Sequence, residues 1–419
     1  MSLRASDIFP TATSLGDGVP RTFRRVDDGH YRFALQELGI EFGVDRLRRK
    51  FDELVGELTV RCELAGARTP ADGVLHVADF NLSNLRDREA RARYLAGRAN
   101  AKDLDWAGLL EEFVQRVFRA ERAGQPAVSL RTLPRPAPDE TVVVDGLPLI
   151  DRHPMILFGD GGSSKSYLAL YLAGRLAQQG IRTAVFDWEL VGEDQRDRLE
   201  RLFGSQMPDV LYVRCTRPLV HEAERLRRIV RDEEIGYTVY DSIGFACDGP
   251  PEAAEVAGRY FQAVRQIGPG SLHVAHVSRA EGADQKPFGS TFWHNGARSS
   301  WNIKLSESHP GSNQITVGLY HRKCNLGGIR PPVGFQFTFE AERTIISRVN
   351  VADVSDLAGH LSVRQRMAHL LSRGAMSAEL VASEIEADVE TVKRTARRYK
   401  AQFTVLPGGT LALLERRSA

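Results

Sequence analysis

Apolar positions change period several times along the chain, and those changes mark its organisation. Residues 1–28 are polar with scattered Gly and Pro, and carry no sustained pattern. From about 31 to 123 the pattern is regular. Val44, Leu47, Phe51 and Leu54 recur at helical spacing. Glu57 to Glu63 alternates as a strand with one wet face does, and Val74 to Phe80 predicts another strand after the Pro-Ala-Asp-Gly turn at 70–73. Ser83 to Gly97 predicts an Arg/Asp/Glu-rich helix with Ser83 as its N-cap. Trp106, Leu110, Phe113, Val117 and Phe118 predict an amphipathic helix that stops near Gly124. The expectation for 1–124 is a small α+β domain without a chemical motif. Arg46, Arg48, Arg49 and Lys50 read as a solvated helix face, with a polyanion role left open.

Prolines 126, 134, 136, 138 and 148 make 125–153 an expected extended linker, in which Val142 to Val144 can add an edge strand to the next domain. From 154 to about 350 strands and helices alternate. Thr183–Trp188, Val210–Arg214, Tyr237–Asp241 and Leu272–Val277 read as strands, and Glu193–Phe203, His221–Asp232 and Glu252–Ile267 as helices. Repeated βα units imply a parallel sheet covered on both faces, hence an α/β fold. After Lys304 the pattern turns to antiparallel strands at Gln314–Tyr320, Gly334–Phe339 and Thr344–Val349.

Residues 361–419 form a separate unit of helices at Val363–Leu371, Ser377–Ile385 and Val389–Lys400, with Ser377 and Asp388 as caps, and a hairpin around Pro407-Gly408-Gly409. Three helices and a hairpin match a winged helix-turn-helix. The third helix carries Lys393, Arg394, Arg397, Arg398 and Lys400, with no acid between Thr391 and Lys400. That segregation suits phosphate neutralisation on duplex DNA. Protein contact through a solvated basic face is the alternative.

Composition narrows the class. With 419 residues, 42% hydrophobic and 26% charged, the chain has the makeup of a globular protein of two or three domains. A formal net charge of +2 does not announce a nucleic-acid partner, so any basic surface is local. Cys62, Cys215, Cys247 and Cys324 have neither disulfide nor zinc-ligand spacing. The N-terminus has no apolar signal core and no stretch is long and apolar enough to span a bilayer. The expectation is a cytoplasmic protein with no membrane partner.

The chemistry centres on 155–166. Met155 to Phe158 reads as a buried strand, Gly159 to Ser164 as a glycine-rich turn, and Lys165 onward as a helix. Strand, loop and helix in this order are what a phosphate-binding P-loop requires. Gly159, Asp160, Gly161, Gly162, Ser163, Ser164, Lys165, Ser166 and Tyr167 form the expected nucleotide cradle. Lys165 would reach the β- and γ-phosphates of ATP, and the Ser166 hydroxyl would ligate Mg²⁺. Ser164 stands where G-x-x-x-x-G-K-[ST] has glycine.

Further along, Asp241 ends an apolar strand, as an acid that holds Mg²⁺ would. Asp187 and Glu189 both qualify to orient an attacking water, and Glu189, at the very end of its strand, is the chosen candidate. His276 can sense the γ-phosphate, whereas His273 reads as a satisfied core residue. The long stretch from Ala280 to Ser300 sets Phe288, Phe292 and Trp293 beside Lys286, His294 and Arg298. Aromatics among cations suit single-stranded nucleic acid, with Lys286, Trp293 and Arg298 as candidates; anchoring of the loop to the core is the equal alternative. Arg322 and Lys323 are candidate cations for a neighbouring subunit's γ-phosphate, or a basic turn.

Together, the P-loop at 159–166, Asp-Trp-Glu at 187–189, Tyr-Asp-Ser at 240–242, His-Val-Ser-Arg at 276–279 and His-Arg-Lys-Cys-Asn at 321–325 resemble the RecA-fold ATPases of the RepA/DnaB-type hexameric helicase group, particularly the RepA-like branch of plasmid and phage proteins. The resemblance covers 154 to about 340. It implies a RecA-like core, with those motifs as phosphate cradle, catalytic Glu, Mg²⁺-holding Asp, γ-phosphate sensor and finger in trans. It also implies a homo-oligomer, a hexamer in that group, acting on DNA through central loops near 289–298. A DNA-dependent motor, an ATP-switched DNA-binding regulator and a nucleotide-held scaffold are the competing expectations.

Overall fold

The computed structural model describes residues 19–414 except 71, 102, 125–126, 135–140, 277–290, 308–310 and 326. The chain divides into two compact units, Met1–Arg135 and Pro136–Ala419.

In the first unit β1 (Arg21–Asp27), β2 (His30–Leu35), β3 (Ile40–Lys50), β4 (Glu53–Cys62) and β5 (Val74–Asn81) form an antiparallel meander in chain order, followed by α1 (Leu85–Ala99) and α2 (Trp106–Ala123). Alternate strand residues, among them Phe33, Phe42, Val44, Leu58 and Val60, are buried against Leu95, Trp106, Leu110, Phe113 and Val117 of the helices. No helix spans Val44–Leu54. A bulge between Asp45 and Arg48 adds a residue to β3 and breaks its alternation, so that apolar positions fall three or four apart and imitate a helix. Arg46, Arg48, Arg49 and Lys50 therefore lie on a strand. Ser83 is not the cap of α1: its hydroxyl accepts from Leu54 N (2.9 Å), and Asn84 caps the helix through Arg86 N and Asp87 N.

The second unit opens with β6 (Thr141–Val144) and β7 (Leu147–Ile150): the strand expected at Val142 to Val144 is present, but it pairs with β7 in a hairpin of its own where an extended linker was expected. The Asp145-Gly146 turn, with both φ positive, is the hairpin signal that the proline density obscures. Val144, Leu147 and Leu149 join the main core.

That core surrounds β8 (Pro154–Gly159), α3 (Lys165–Gln178), β9 (Thr183–Asp187), α4 (Gly192–Phe203), β10 (Val210–Arg214), α5 (Leu219–Asp232), β11 (Tyr237–Asp241), α6 (Ile243–Ala246), α7 (Ala254–Ile267), β12 (Gly270–His276), α8 (Thr291–Gly296), β13 (Ser299–Leu305), β14 (Gln314–Cys324), β15 (Val333–Phe339) and β16 (Thr344–Val349). The nine strands form one sheet in the order β10-β9-β11-β12-β8-β13-β14-β15-β16, parallel from β10 to β13 and antiparallel beyond. It is a large mixed α/β sheet whose interior parallel strands β8, β9, β11 and β12 are buried on both faces. Met155 and Leu157 of β8 face α3, which buries Leu168, Leu172 and Leu176; Ile156 and Phe158 face the layer that holds Tyr260, Phe261 and Val264 of α7. Truncating Leu172 to Ala would cost about 2–5 kcal/mol. β13 was not anticipated, and α8 occupies part of the stretch expected as loop from Ala280 to Ser300.

The register sets the site. Gly159 of β8 lies opposite His276 of β12 and Ile303 of β13, and Asp241 of β11 lies opposite Asp187 of β9. The carboxyl ends of adjacent strands are thus level, where open α/β sheets bind ligands.

After β16, α9 (Ser355–Ala358) leads to α10 (Val363–Leu371), β17 (Met376–Ser377), α11 (Ala378–Glu384), α12 (Val389–Arg398), β18 (Phe403–Val405) and β19 (Thr410–Leu413). These close a separate small core of Met367, Leu371, Val381, Val392, Phe403 and Leu411. Ser377 and Asp388 cap α11 and α12 as expected, and Ser362 with Gln365 forms a capping box on α10.

Candidate functional site

The turn from β8 to α3 is a P-loop built by two glycines and a serine. Gly159 is required by close approach: a Cβ there would lie 2.3 Å from Cγ2 of Ile303 on β13. Gly162 has φ +76° and Ser164 φ +55°, so the chain enters α3 through the left-handed region. Serine is strained there, and it carries the αL residue that the sequence pattern assigns to glycine. Among the described residues no side chain caps α3. Its first amides are therefore left to a ligand, and a helix N-terminus with free N–H groups favours an anion.

Lys165 lies across this loop, 5% exposed, with its amine donating to the Asp160 carbonyl (2.6 Å) and to Ser163 Oγ (3.3 Å). Burial lowers its pKa; Asp241, Asp160 and Glu189 oppose that shift. The Ser163 hydroxyl donates to the same carbonyl (2.7 Å). The loop satisfies its own lysine with groups that a phosphate can replace.

Asp241 is 3% exposed, and its Oδ1 has no hydrogen-bond partner among the described residues. Burial pushes its pKa up to about 7, against the pull of the Ser166 hydroxyl; Asp187 and Glu189 add to the rise and Arg198 opposes it. An orphaned, buried carboxylate oxygen beside a P-loop serine fits a divalent cation, which would restore the charged form. No group of three or more His, Cys, Asp or Glu among the described residues forms a metal centre of its own. A cation here would therefore take further ligands from the nucleotide and water, as Mg²⁺ does.

The two acids ending β9 have separate roles. Asp187 is fully buried; its Oδ1 accepts from Glu189 N (2.7 Å) and Leu190 N (2.9 Å), and its Oδ2 from Gln195 Nε2 (2.6 Å). It shapes the turn and has no free oxygen for a water. Glu189 is exposed and accepts the Ser242 hydroxyl. His276 ends β12 opposite Gly159; burial and the Lys165 charge lower its pKa, while Glu189 and Asp160 raise it. Lys165, Ser166, Glu189, Asp241 and His276 are thus brought together at one sheet end.

Several other candidates are placed elsewhere. Lys323 is not a free cation: its amine donates to the carbonyls of His294 (2.6 Å), Asn295 (3.0 Å) and Ala297 (2.8 Å), which engages all three protons at the end of α8. Trp293 is no stacking platform. It is fully buried against Tyr260 and Phe261, with Nε1 donating to Pro251 O (2.7 Å). Arg322 is exposed near the end of β14, an interior strand of the sheet, 5.8 Å over the Tyr320 ring. Arg298 is exposed and its backbone N–H binds Pro154 O (2.9 Å). Lys286, Phe288 and Arg279 lie outside the described residues. On α12 Lys393 pairs with Glu379 (3.4 Å) and Glu390 (3.8 Å), while Arg394, Arg397 and Arg398 are exposed. His273 is buried between the Tyr260 hydroxyl and Ser271 Oγ, the core role expected of it.

Ser242, which belongs to the Tyr-Asp-Ser at 240–242, orients Glu189, whereas three further neighbours of the site carry no local motif. Arg198 of α4 lies 4.9 Å over the Tyr167 ring and acts on Asp241. Asn302 of β13, buried, reaches Phe158 O (3.4 Å) and leaves its Oδ1 unpaired among the described residues. Lys304, on the same strand, feels Asp160 and Arg322. The signal that existed for the last two was the apolar alternation of Trp301 and Ile303, which defines β13.

No family model and no curated protein matches the chain. Among solved structures it is similar to a KaiC-like protein of Pyrococcus horikoshii, with 14% identity over 48% of this chain and 91% of the other, TM-score 0.37. The flagellar accessory protein FlaH of Methanocaldococcus jannaschii gives 12% identity over 47% and 89%, TM-score 0.35. A third solved structure, of an ATPase domain, gives 12% over 46% and 82%, TM-score 0.36. Among the described residues no helix is long and apolar enough to cross a membrane.

Proposed function

We propose that the chain is an ATP-hydrolysing, RecA-like motor that acts on DNA, as a helicase, translocase or replication-associated ATPase. The observation that carries the nucleotide part is the buried Asp241 carboxyl with its orphaned Oδ1, set beside Ser166 at the start of a P-loop helix. Gly159 to Tyr167 would cradle the phosphates of ATP, and Lys165 would leave the Asp160 carbonyl for the β- and γ-phosphates. Ser166 and Asp241 would hold Mg²⁺, which supplies charge neutralisation on the phosphate oxygens when bound. Glu189, exposed at its strand end and oriented by Ser242, would accept a proton from the attacking water. His276, between Glu189 and Lys165 in its electrostatic influence, would report the γ-phosphate. Arg322 would serve a neighbouring copy in a homo-oligomeric, hexameric ring.

The DNA part rests on the exposed cations of a C-terminal module that we read as a winged helix, in which α12 would face duplex DNA. Arg298, with Lys286, would serve a single strand. A second reading, an ATP-switched DNA-binding regulator with slow hydrolysis, is favoured by Ser164: a strained αL serine replaces a glycine inside the cradle.

The test is ATP turnover by the full chain with no nucleic acid, with single-stranded DNA and with duplex DNA, beside Lys165→Ala and Glu189→Gln. Turnover stimulated by DNA and lost in both variants is expected. ATP binding with negligible turnover on every polymer would replace the motor by the regulator.

A further inference from the structure

A cleft of about 1020 Å³ lies between the loop that leaves β14, at Ile329–Pro332, and the facing sides of α10 and α12. Its walls hold Arg330, Arg364, Arg394 and Arg398 and not one Asp or Glu. All four arginines are exposed, and none has an ion pair among the described residues. This sets them apart from Lys393 on the same helix, which two glutamates neutralise. In a chain of nearly balanced charge, a concave wall of one sign focuses potential and collects anions.

The geometry is built. Arg394 and Arg398 are one helical turn apart and present the same side of α12, whereas Arg397 and Lys400 lie outside the cleft. Arg364 is held by Gln402, whose Oε1 accepts from Nε (2.6 Å), and its guanidinium lies 4.3 Å over the Tyr399 ring. That leaves its terminal nitrogens for a ligand and a flat cation on which a base can stack. Pro331 and Pro332 form a stiff wall without N–H donors.

We propose that this cleft binds a single strand of nucleic acid, with Arg330 and Arg394 gripping phosphates from opposite walls. The volume suits a few nucleotides in line and exceeds what one phosphate needs. Arg394 and Arg398 line the cleft together with the β14 loop, so the proposal gives these two to a single strand and leaves Arg397 and Lys400, outside the cleft, for a duplex. The inference deepens the motor reading and rests on it for its purpose: one wall of the cleft continues from β14, the strand that carries Arg322, two strands from the P-loop strand.

The test is fluorescence anisotropy of the full chain, without nucleotide, on labelled oligothymidylate, oligouridylate and a blunt duplex. Wild type is compared with Arg330→Ala/Arg364→Ala and with a charge-matched control, Arg265→Ala/Arg343→Ala, all after thermal melts that establish folding. The cleft variant is expected to lose at least about 10-fold in single-strand affinity, and its log–log salt slope to fall by about 0.7 for the phosphate contact of Arg330, Arg364 acting through base stacking. The control and the duplex affinity should hold. Oligouridylate against oligothymidylate tells RNA from DNA as the source of the strand. Unchanged single-strand binding in a folded cleft variant, no single-strand binding by wild type, or loss confined to the duplex would each overturn the proposal. ATP turnover does not enter this assay, so a failed motor reading is recognised separately, by absent hydrolysis.

Discussion

The Ser242 hydroxyl donates to Oε1 of Glu189, and so ties the end of β11 to the turn after β9. Ser242 is 1% exposed and fixed beside Asp241, so the bond holds an otherwise exposed carboxylate toward the P-loop. Glu189→Gln keeps this geometry and removes the proposed base. Turnover should fall by about 10²–10⁴ while ATP binding survives. Ser242→Ala keeps the Glu189 carboxylate and releases it, with a smaller expected loss of about 10–10² in kcat and little change in KM. Steady-state kinetics of the two variants check this; equal losses in kcat and in ATP affinity for Ser242→Ala would contradict the positioning role.

Asp241→Asn separates the cost of burying the carboxylate from its proposed use. Without a cation the aspartate is buried with one oxygen unpaired, and replacement by the neutral amide relieves that desolvation. The melting temperature of nucleotide-free protein should stay level or rise. The added stabilisation by Mg²⁺ and ATP, about 2.7 kcal/mol at a ligand concentration 100 times Kd in wild type, should be largely lost. Differential scanning fluorimetry with and without Mg²⁺-ATP reads both.

Ser164→Gly tests the strained cradle. At φ +55° a serine costs about 1–2 kcal/mol relative to a relaxed residue, and glycine regains part of this at an entropic cost of about 0.5–1 kcal/mol. A small gain in stability, under about 1.5 kcal/mol, is expected in urea unfolding. If the serine also slows hydrolysis, turnover rises with it.

Arg322 and Lys323 are adjacent in sequence and opposite in use. Lys323→Ala removes three hydrogen bonds from the end of α8 and should destabilise the protein by about 1–3 kcal/mol. Arg322→Ala should leave stability nearly unchanged, because its side chain is exposed with no ion pair among the described residues. As a finger for a neighbouring copy it would still lower turnover by about 10³ or more. Thermal melts beside turnover assays distinguish the two.

These contrasts show what sequence alone can reach. The P-loop and the strand-end acids were legible because each is local: a buried run, a glycine turn and a helix, or a strand that stops at a carboxylate. The direction of a side chain was not. Trp293 sits among cations in sequence yet points into the core, and Lys323 turns back onto α8, because packing against Tyr260 decides the one and the carbonyls of His294, Asn295 and Ala297 the other. The β3 bulge imitated helical spacing, and proline density hid the Asp145-Gly146 hairpin. Asn302 and Lys304 escaped notice because β13 is placed beside the P-loop by pairing with β8, more than 140 residues earlier. Asp187 and Glu189 could be ranked but not separated until the amides of Glu189 and Leu190 were seen to occupy Asp187.

His273 supplies a test of the core by pH. The ring is fully buried, hydrogen-bonded to the Tyr260 hydroxyl (2.8 Å) and to Ser271 Oγ (2.9 Å), and stacked 4.3 Å from Tyr240. Burial pushes its pKa down to about 3, from an ordinary value near 6.5. The folded protein therefore keeps the ring neutral at pH values where the unfolded chain takes up a proton. The unfolded state binds more protons, so this contribution is full above pH 6.5 and is lost as the pH falls toward 3, by about 1.4 kcal/mol per unit. In His273→Gln the amide fills part of the site without titrating. It should be less stable at pH 7.5, yet its stability should fall less steeply between pH 6.5 and 4.5. Carboxylates, and other buried histidines such as His321, act alike in both proteins and cancel in the difference. Urea unfolding at closely spaced pH values gives the two slopes, and parallel slopes would mean that the ring is protonated in the folded core.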